Sequence, residues 1–355
     1  MDSMTQAALG AAIGGAVLGR RLGRKAILLG AFVGTLPDLD VVIDYGDAVA
    51  NVTQHRGFSH SLLVLAGLGT LLALLSARFA PARDIPLRHW LTFFLLILLT
   101  HPLLDALTTY GTQLFWPMTS PPIAWPIVFI IDPLYSLPLL VALVWALVDR
   151  KVVYRCGWAL GLSSLYLLFA IGAKVSVEQR MAPVLAAQGL ESAPRLVQPA
   201  PFTTLLWRVS VMDGDRHYES LVSLFDQTPP QLEALTRQTP LAEGFQQDAR
   251  IQRLNWFTGD FLRYDSRSTN GQETLQVTDV RLGFPGFYPF TYQLATRPAD
   301  DRPWQAVDVS FQVSSERGLS GDTFKRLGLR ALGNPQALCA TAFVEARWKL
   351  TSSGC

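Results

Sequence analysis

Apolar runs approaching membrane-spanning length crowd the first half of this chain and are missing from the second, and this asymmetry constrains the fold most. A hydrocarbon layer about 30 Å thick takes roughly 20 apolar residues to cross as a helix. Phe58–Phe79, Trp90–Thr109, Ile127–Val148 and Gly157–Ala173 read as spans, the third broken by Pro133 and Pro138. Two shorter runs precede them, Thr5–Gly19 and Ala26–Leu36, separated by Arg20, Arg21, Arg24 and Lys25. They read as two short tilted spans or as one re-entrant hairpin. Gly10, Gly14 and Gly15 would let neighbouring helices approach closely. The expected fold is a mostly α polytopic membrane bundle of about six spans over residues 1–173, some short or re-entrant. A helix and linker over 174–201 and a soluble α+β domain over 202–355 follow.

Basic residues supply an orientation. The linkers 20–25, 78–88 and 149–155 hold ten Lys or Arg, whereas 37–57 and 110–126 hold only Arg56. Positive linkers stay on the cytoplasmic side, so the alternate linkers and the C-terminal domain are expected outside a cytoplasmic (inner) membrane. The first residues carry no basic cluster ahead of the first apolar run, which argues for an uncleaved first span. A net charge of +2 gives no reason to expect nucleic acid as a partner; membrane lipids are expected instead. Cys156, Cys339 and Cys355 form no metal or redox motif, and a Cys339–Cys355 bridge and free thiols both remain open.

In the second half, Thr203–Met212 and His217–Phe225 flank Asp213-Gly214-Asp215, a hairpin signal. Pro230–Gln238 reads as a short helix. Ile251–Tyr264 and Glu273–Phe284, joined across Asn270-Gly271, read as strands, as do Phe290–Thr296 and Trp304–Val313. Residues 322–332 read as a helix.

The chemistry-bearing residues gather at one end of the apolar runs. Asp38 and Asp40 follow Pro37, His55 through Ser61 spell HRGFSHS, and His101 and Asp105 stand four apart inside an apolar run. Residues i and i+4 of a helix share a face, and an aspartate in a lipid-facing helix costs roughly 2.5–3.5 kcal/mol. A functional pair facing the bundle interior is therefore weighed against a structural His–Asp tie. In an extended segment Asp38 and Asp40 would point the same way; the alternative is a solvated loop. Ser59 is expected to cap a helix starting at His60, with His55 reaching in from the loop. Arg56 suits a substrate phosphate or carboxylate, or a lipid headgroup. Carboxylate oxygens and imidazole nitrogens together recruit divalent metals. No Gly-rich phosphate loop, GxSxG or HExxH motif is present.

PDLD, HRGFSHS, HPLLDALTTYG and the later IDP, in that order over roughly residues 5–150, resemble the YdjM-like family of inner-membrane proteins, described as metal-dependent hydrolases. The resemblance implies a polytopic membrane protein whose Asp38, Asp40, His55, His60, His101 and Asp105 make the metal site. Zinc is the expected ion, with manganese or magnesium as alternatives. The expected function is hydrolysis of an ester or phosphoester in a membrane-associated substrate, with Asp38, Arg56 and Asp105 as the catalytic set. A cation transporter using the same cluster, or a non-catalytic membrane scaffold, is the alternative class.

Overall fold

The computed structural model describes residues 1–79, 84–149, 151–269, 271–298, 303–313 and 320–351. It divides into two units: Met1–Ile43 with His55–Ile171, and Asp44–Gln54 with Gly172–Cys355.

The first unit is helical. Helices α1 (Ser3–Leu22) and α2 (Lys25–Thr35) form a hairpin that turns at Gly23, whose φ is 56°. The small residues of both runs meet along it. A Cβ placed on Gly30 would lie 2.2 Å from the carbonyl oxygen of Gly10, and one on Gly14 would lie 2.4 Å from that of Ala26. The two backbones therefore touch, a contact that only glycine allows. After the second unit's α3 (Ala48–Gln54), the chain returns with α4 (Leu62–Phe79), α5 (Leu87–Ala106), α6 (Pro133–Asp149) and α7 (Val152–Ala186). Phe93, Ile97 and Leu98 of α5 pack with Leu18, Ile27 and Leu139 in one core.

Six spans are not supported. Among the described residues three helices, α4, α5 and α7, are long and apolar enough to cross a membrane. With 11 residues, α2 extends only about 16 Å. The stretch read as a span from Ile127 becomes helical only at Pro133, and α6 has 17 residues. At 20 residues α1 is long enough, but Arg20 and Arg21 occupy its last turn and Gly and Ala fill much of the rest.

The second unit carries two four-stranded antiparallel sheets. The first contains β1 (Arg195–Pro199), β2 (Leu206–Asp213), β3 (Arg216–Ser223) and β4 (Glu233–Thr236) in that order. The second contains β5 (Leu262–Thr269), β6 (Gln272–Asp279), β7 (Thr291–Pro298) and β8 (Gln305–Ala306). Helices α8 (Ala249–Thr258) and α9 (Gly321–Ala331) complete it. The expected hairpin forms, with Asp213 opposite Arg216.

Three local expectations fail for identifiable reasons. Glu233–Thr236, read as helix, pairs with the open edge of β3, because a sheet edge needs partners more than a short helix does. Of Ile251–Tyr264, read as strand, the part up to Thr258 belongs to the helix Ala249–Thr258, which buries Ile251, Leu254 and Phe257 at helical spacing between an Asp248 cap and Gly259 with φ 65°. From Trp304 to Val313 only Gln305–Ala306 is strand, with one further bridge at Gln312. The Cys339–Cys355 pairing involves Cys355, which lies outside the described residues, and Cys156 is a free buried thiol.

Behind the first sheet, Arg208 Nε donates to Glu219 Oε2 at 2.9 Å with both side chains almost wholly buried. Burial pushes the Glu219 carboxyl up, but Arg208 and His217 beside it outweigh burial and bring it from 4.5 down to about 2. A carboxylate depressed in the folded state stabilises above its unfolded pKa and loses that contribution as pH falls through the folded one.

Two outcomes follow from this packing. Gly30→Ala should lower the thermal midpoint of detergent-purified protein by the equivalent of about 1–3 kcal/mol, the usual cost of overpacking. Glu219→Gln, which strands a buried guanidinium, should cost about 3–5 kcal/mol in urea unfolding. Between pH 4.5 and about 2 the wild type should lose stability by a limb that the variant lacks.

Candidate metal centre

Four side chains from three segments meet at one end of the helical unit. Asp38 lies in the 3-10 turn Pro37–Val42 that follows α2, and His60 ends a second such turn, Phe58–His60. His101 and Asp105 come from the last turns of α5. Ligand atoms of the four lie within 4.8 Å of one another. His101 Nε2 is 3.2 Å from His60 Nε2 and 3.3 Å from Asp38 Oδ1, and His60 Nε2 is 3.1 Å from Asp105 Oδ2.

Outward hydrogen bonds fix where the imidazole protons sit. His101 Nδ1 is 2.8 Å from the carbonyl oxygen of Gly34, which can only accept, so Nδ1 is the protonated nitrogen. Ser59 Oγ donates to Asp40 Oδ2 at 2.7 Å, which leaves it to accept from His60 Nδ1 at 2.9 Å. With Nδ1 protonated, each ring in its neutral form turns an Nε2 lone pair towards the other and towards two carboxylate oxygens. Asp105 Oδ2 is buried without a hydrogen-bond partner. Facing lone pairs in a buried site repel unless a cation joins them. The donor set therefore fits a divalent ion, with His60, His101, Asp38 and Asp105 available to hold it.

Asp40 and His55 lie beside this set and are paired with each other, His55 Nδ1 standing 3.0 Å from Asp40 Oδ1. Asp40 Oδ2 also accepts from the Arg56 backbone N–H at 2.9 Å. The two aspartates were expected to point one way. Residues i and i+2 of a 3-10 turn are about 240° apart at three residues per turn, so Asp38 reaches the histidine cluster and Asp40 reaches the 55–59 loop. The expected cap at Ser59 is also displaced: α4 begins at Leu62, and Ser61 Oγ donates to the Trp116 carbonyl at 2.7 Å.

Arg56 is 3% exposed and adopts φ 60°, a left-handed conformation unusual away from glycine. Its Nη2 lies 3.4 Å from Asp105 Oδ1 and its guanidinium 5.0 Å from the Tyr110 ring centroid, whereas Nε and Nη1 have no partner. Asp132, the aspartate of the IDP motif, accepts from Tyr166 Oη at 2.8 Å and from the Leu134 N–H at 3.0 Å in the first turn of α6, and is not part of the cluster.

A family model described as YdjM inner membrane protein matches residues 1–177, a stretch that holds the whole cluster. Through these residues the chain belongs to the YdjM family. A 93-residue segment is 38% identical to Inner membrane protein YbcI of Escherichia coli (strain K12), covering 26% of this chain and 52% of that protein. The chain thus spans about half the length of that relative. Over 279 residues it is 22% identical to a Bacillus subtilis (strain 168) protein described as Uncharacterized protein YfhP, covering 75% of this chain and 80% of that one. No solved structure matches the chain.

Within the YdjM stretch, sequence reasoning missed Gln6 of α1. Its Nε2 donates to the His101 carbonyl at 3.1 Å and to Asp105 Oδ1 at 3.0 Å, and the Met1 amino group donates to the same oxygen. The available signal was a buried amide at the start of an Ala/Gly run. Ser3, whose Oγ donates to Asp38 Oδ2 at 3.0 Å, gave none.

Because Ser59 fixes the His60 tautomer, Ser59→Ala should weaken zinc affinity about 10–100-fold. Competition with a fluorescent chelator measures it, and an unchanged affinity would refute the proton assignment.

Proposed function

We propose that this YdjM-family chain is a membrane-bound metal-dependent hydrolase acting on an ester or phosphoester of a membrane-associated substrate. The observation that carries the reading is the buried convergence of four lone-pair atoms next to an arginine whose Nε and Nη1 are unpartnered. A divalent ion bound there, zinc first and manganese or magnesium as alternatives, would acidify water and polarise the scissile group.

The chain's own residues would divide the remaining work. His60, His101 and Asp105 are essentially buried and suit holding the ion, while Asp38 is the most accessible of the four at 14% side-chain exposure. We assign Asp38 to accepting the proton of the attacking water. Asp105 Oδ1, held by Gln6 and Arg56, keeps its other oxygen aimed at His60. Arg56 Nε and Nη1, on different edges of the guanidinium, would each be free to donate a single hydrogen bond to a carboxylate or phosphate oxygen. Asp40, through Ser59, would keep His60 in its lone-pair tautomer and tie down His55.

An extracytoplasmic site is part of the same proposal. The turn end of the α1–α2 hairpin carries basic residues, with Arg24 Nη2 donating to the Val148 carbonyl at 3.0 Å. Positive residues stay inside, so the opposite end and residues 174–355 would face outward.

The test is hydrolysis of a phospholipid panel in mixed micelles by detergent-purified protein loaded with zinc or manganese. Asp38→Asn should lower kcat about 10²–10⁴-fold, as removal of a general base does. Arg56→Met should lower kcat/KM with bound metal unchanged. Full activity in both variants would contradict the reading, and metal uptake into proteoliposomes without any hydrolysis would favour a transporter.

A further inference from the structure

A second site stands in the sheet unit, independent of the metal centre and of the activity proposed for it. The second sheet and the segment ending at Trp348 enclose a cavity of about 670 Å³, with Arg263, Asp265, Thr278, Thr291, Tyr288 and Trp348 in its lining. Arg263 is 4% exposed, its guanidinium stacks 3.8 Å from the Trp348 ring centroid, and its Nε and Nη1 have no partner. Among the described residues it makes no ion pair, although two carboxylates lie close by. Asp265 Oδ2 is taken by Arg267 at 3.0 Å and Arg347 at 2.8 Å, and Glu345 by the same two arginines at 2.7 and 2.9 Å. Three guanidinium groups thus face two carboxylates, and Arg263 is the one left over.

Two further polar atoms define the shape of what is missing. Asp265 Oδ1 is buried without a partner among the described residues, and Tyr288 Oη, near the Arg208 guanidinium, makes no hydrogen bond of ordinary geometry. Arg263 and Asp265 are two apart on β5 and so share a face, about 6–7 Å from each other. A buried unpaired guanidinium is costly unless an anion or water meets it. A carboxylate oxygen beside it calls for a donor, and the threonine hydroxyls of β6 and β7 offer both.

We propose that this cavity binds a small hydroxylated anion, a sugar or polyol carrying a phosphate or a carboxylate. Arg263 and Tyr288 take the anionic group, and Asp265 Oδ1 accepts from a ligand hydroxyl. The volume suits one such molecule, since small-ligand pockets commonly run about 300–1,000 Å³.

The experiment is calorimetric and thermal titration of full-length protein in detergent with four probes: glucose 6-phosphate, glucuronate, inorganic phosphate and glucose. The sugar phosphate or the sugar acid should bind and raise the thermal midpoint, and which of the two is tighter identifies the anionic group. Inorganic phosphate should bind more weakly and glucose not measurably. Arg263→Met should weaken binding roughly 10–100-fold, the worth of a charge-assisted contact, without lowering the midpoint of the ligand-free protein. Thr269→Trp, at an exposed lining position on the same face of β5, should block binding while leaving the buried arginine in place. No binding by either sugar anion at millimolar concentration would overturn the proposal. So would binding that survives both substitutions, equal binding of glucose, or an Arg263→Met protein that is destabilised while wild type ignores every probe.

Discussion

Two imidazoles with their Nε2 atoms turned inward, against two carboxylates in a largely buried cluster, set the terms for the helical unit. Such an arrangement is stable only if each ring's proton is held on the outer side and something positive occupies the inner side. The outer side is visible in detail: Gly34 takes one proton through its carbonyl, and Ser59, itself committed to Asp40, takes the other. The inner side offers four ligand atoms that could hold a divalent ion.

The surrounding fold serves that requirement. Backbone contact along the glycines of α1 and α2 brings the end of α2, with Gly34, beside α5, and places Gln6 across the His101 carbonyl and Asp105. The same close approach leaves little room for side chains, which is why Ala and Gly dominate a hairpin that borders an ionic site. The left-handed backbone of Arg56 belongs to the same design, since its N–H reaches Asp40 while its side chain turns towards Asp105.

Much of this was legible in the chain of residues. His101 and Asp105 at helical spacing inside an apolar run announced themselves by their cost, and the ordered motifs named the family. What escaped detection depended on backbone geometry that side-chain types do not encode. PDLD looks the same whether extended or in a 3-10 turn, yet the turn alone decides that Asp38 and Asp40 part company. Gln6 and the Gly34 carbonyl contribute through tertiary contact with α5, and only the polar amide at the start of an Ala/Gly run hints at the first of them. The span count failed because apolar composition does not fix helix length: α2 stops at 11 residues and α6 at 17. In the sheet unit, β4 and α8 were misread for complementary reasons, an unpaired sheet edge in one case and a helical face hidden in a short amphipathic stretch in the other.

Elemental analysis of the detergent-purified protein, beside a His101→Ala variant shown by near-ultraviolet circular dichroism to be folded, addresses the central claim most directly. The account predicts about one divalent ion per chain in the wild type and none retained by the variant. A wild-type protein that holds no divalent ion, even after reconstitution with zinc or manganese, would contradict it.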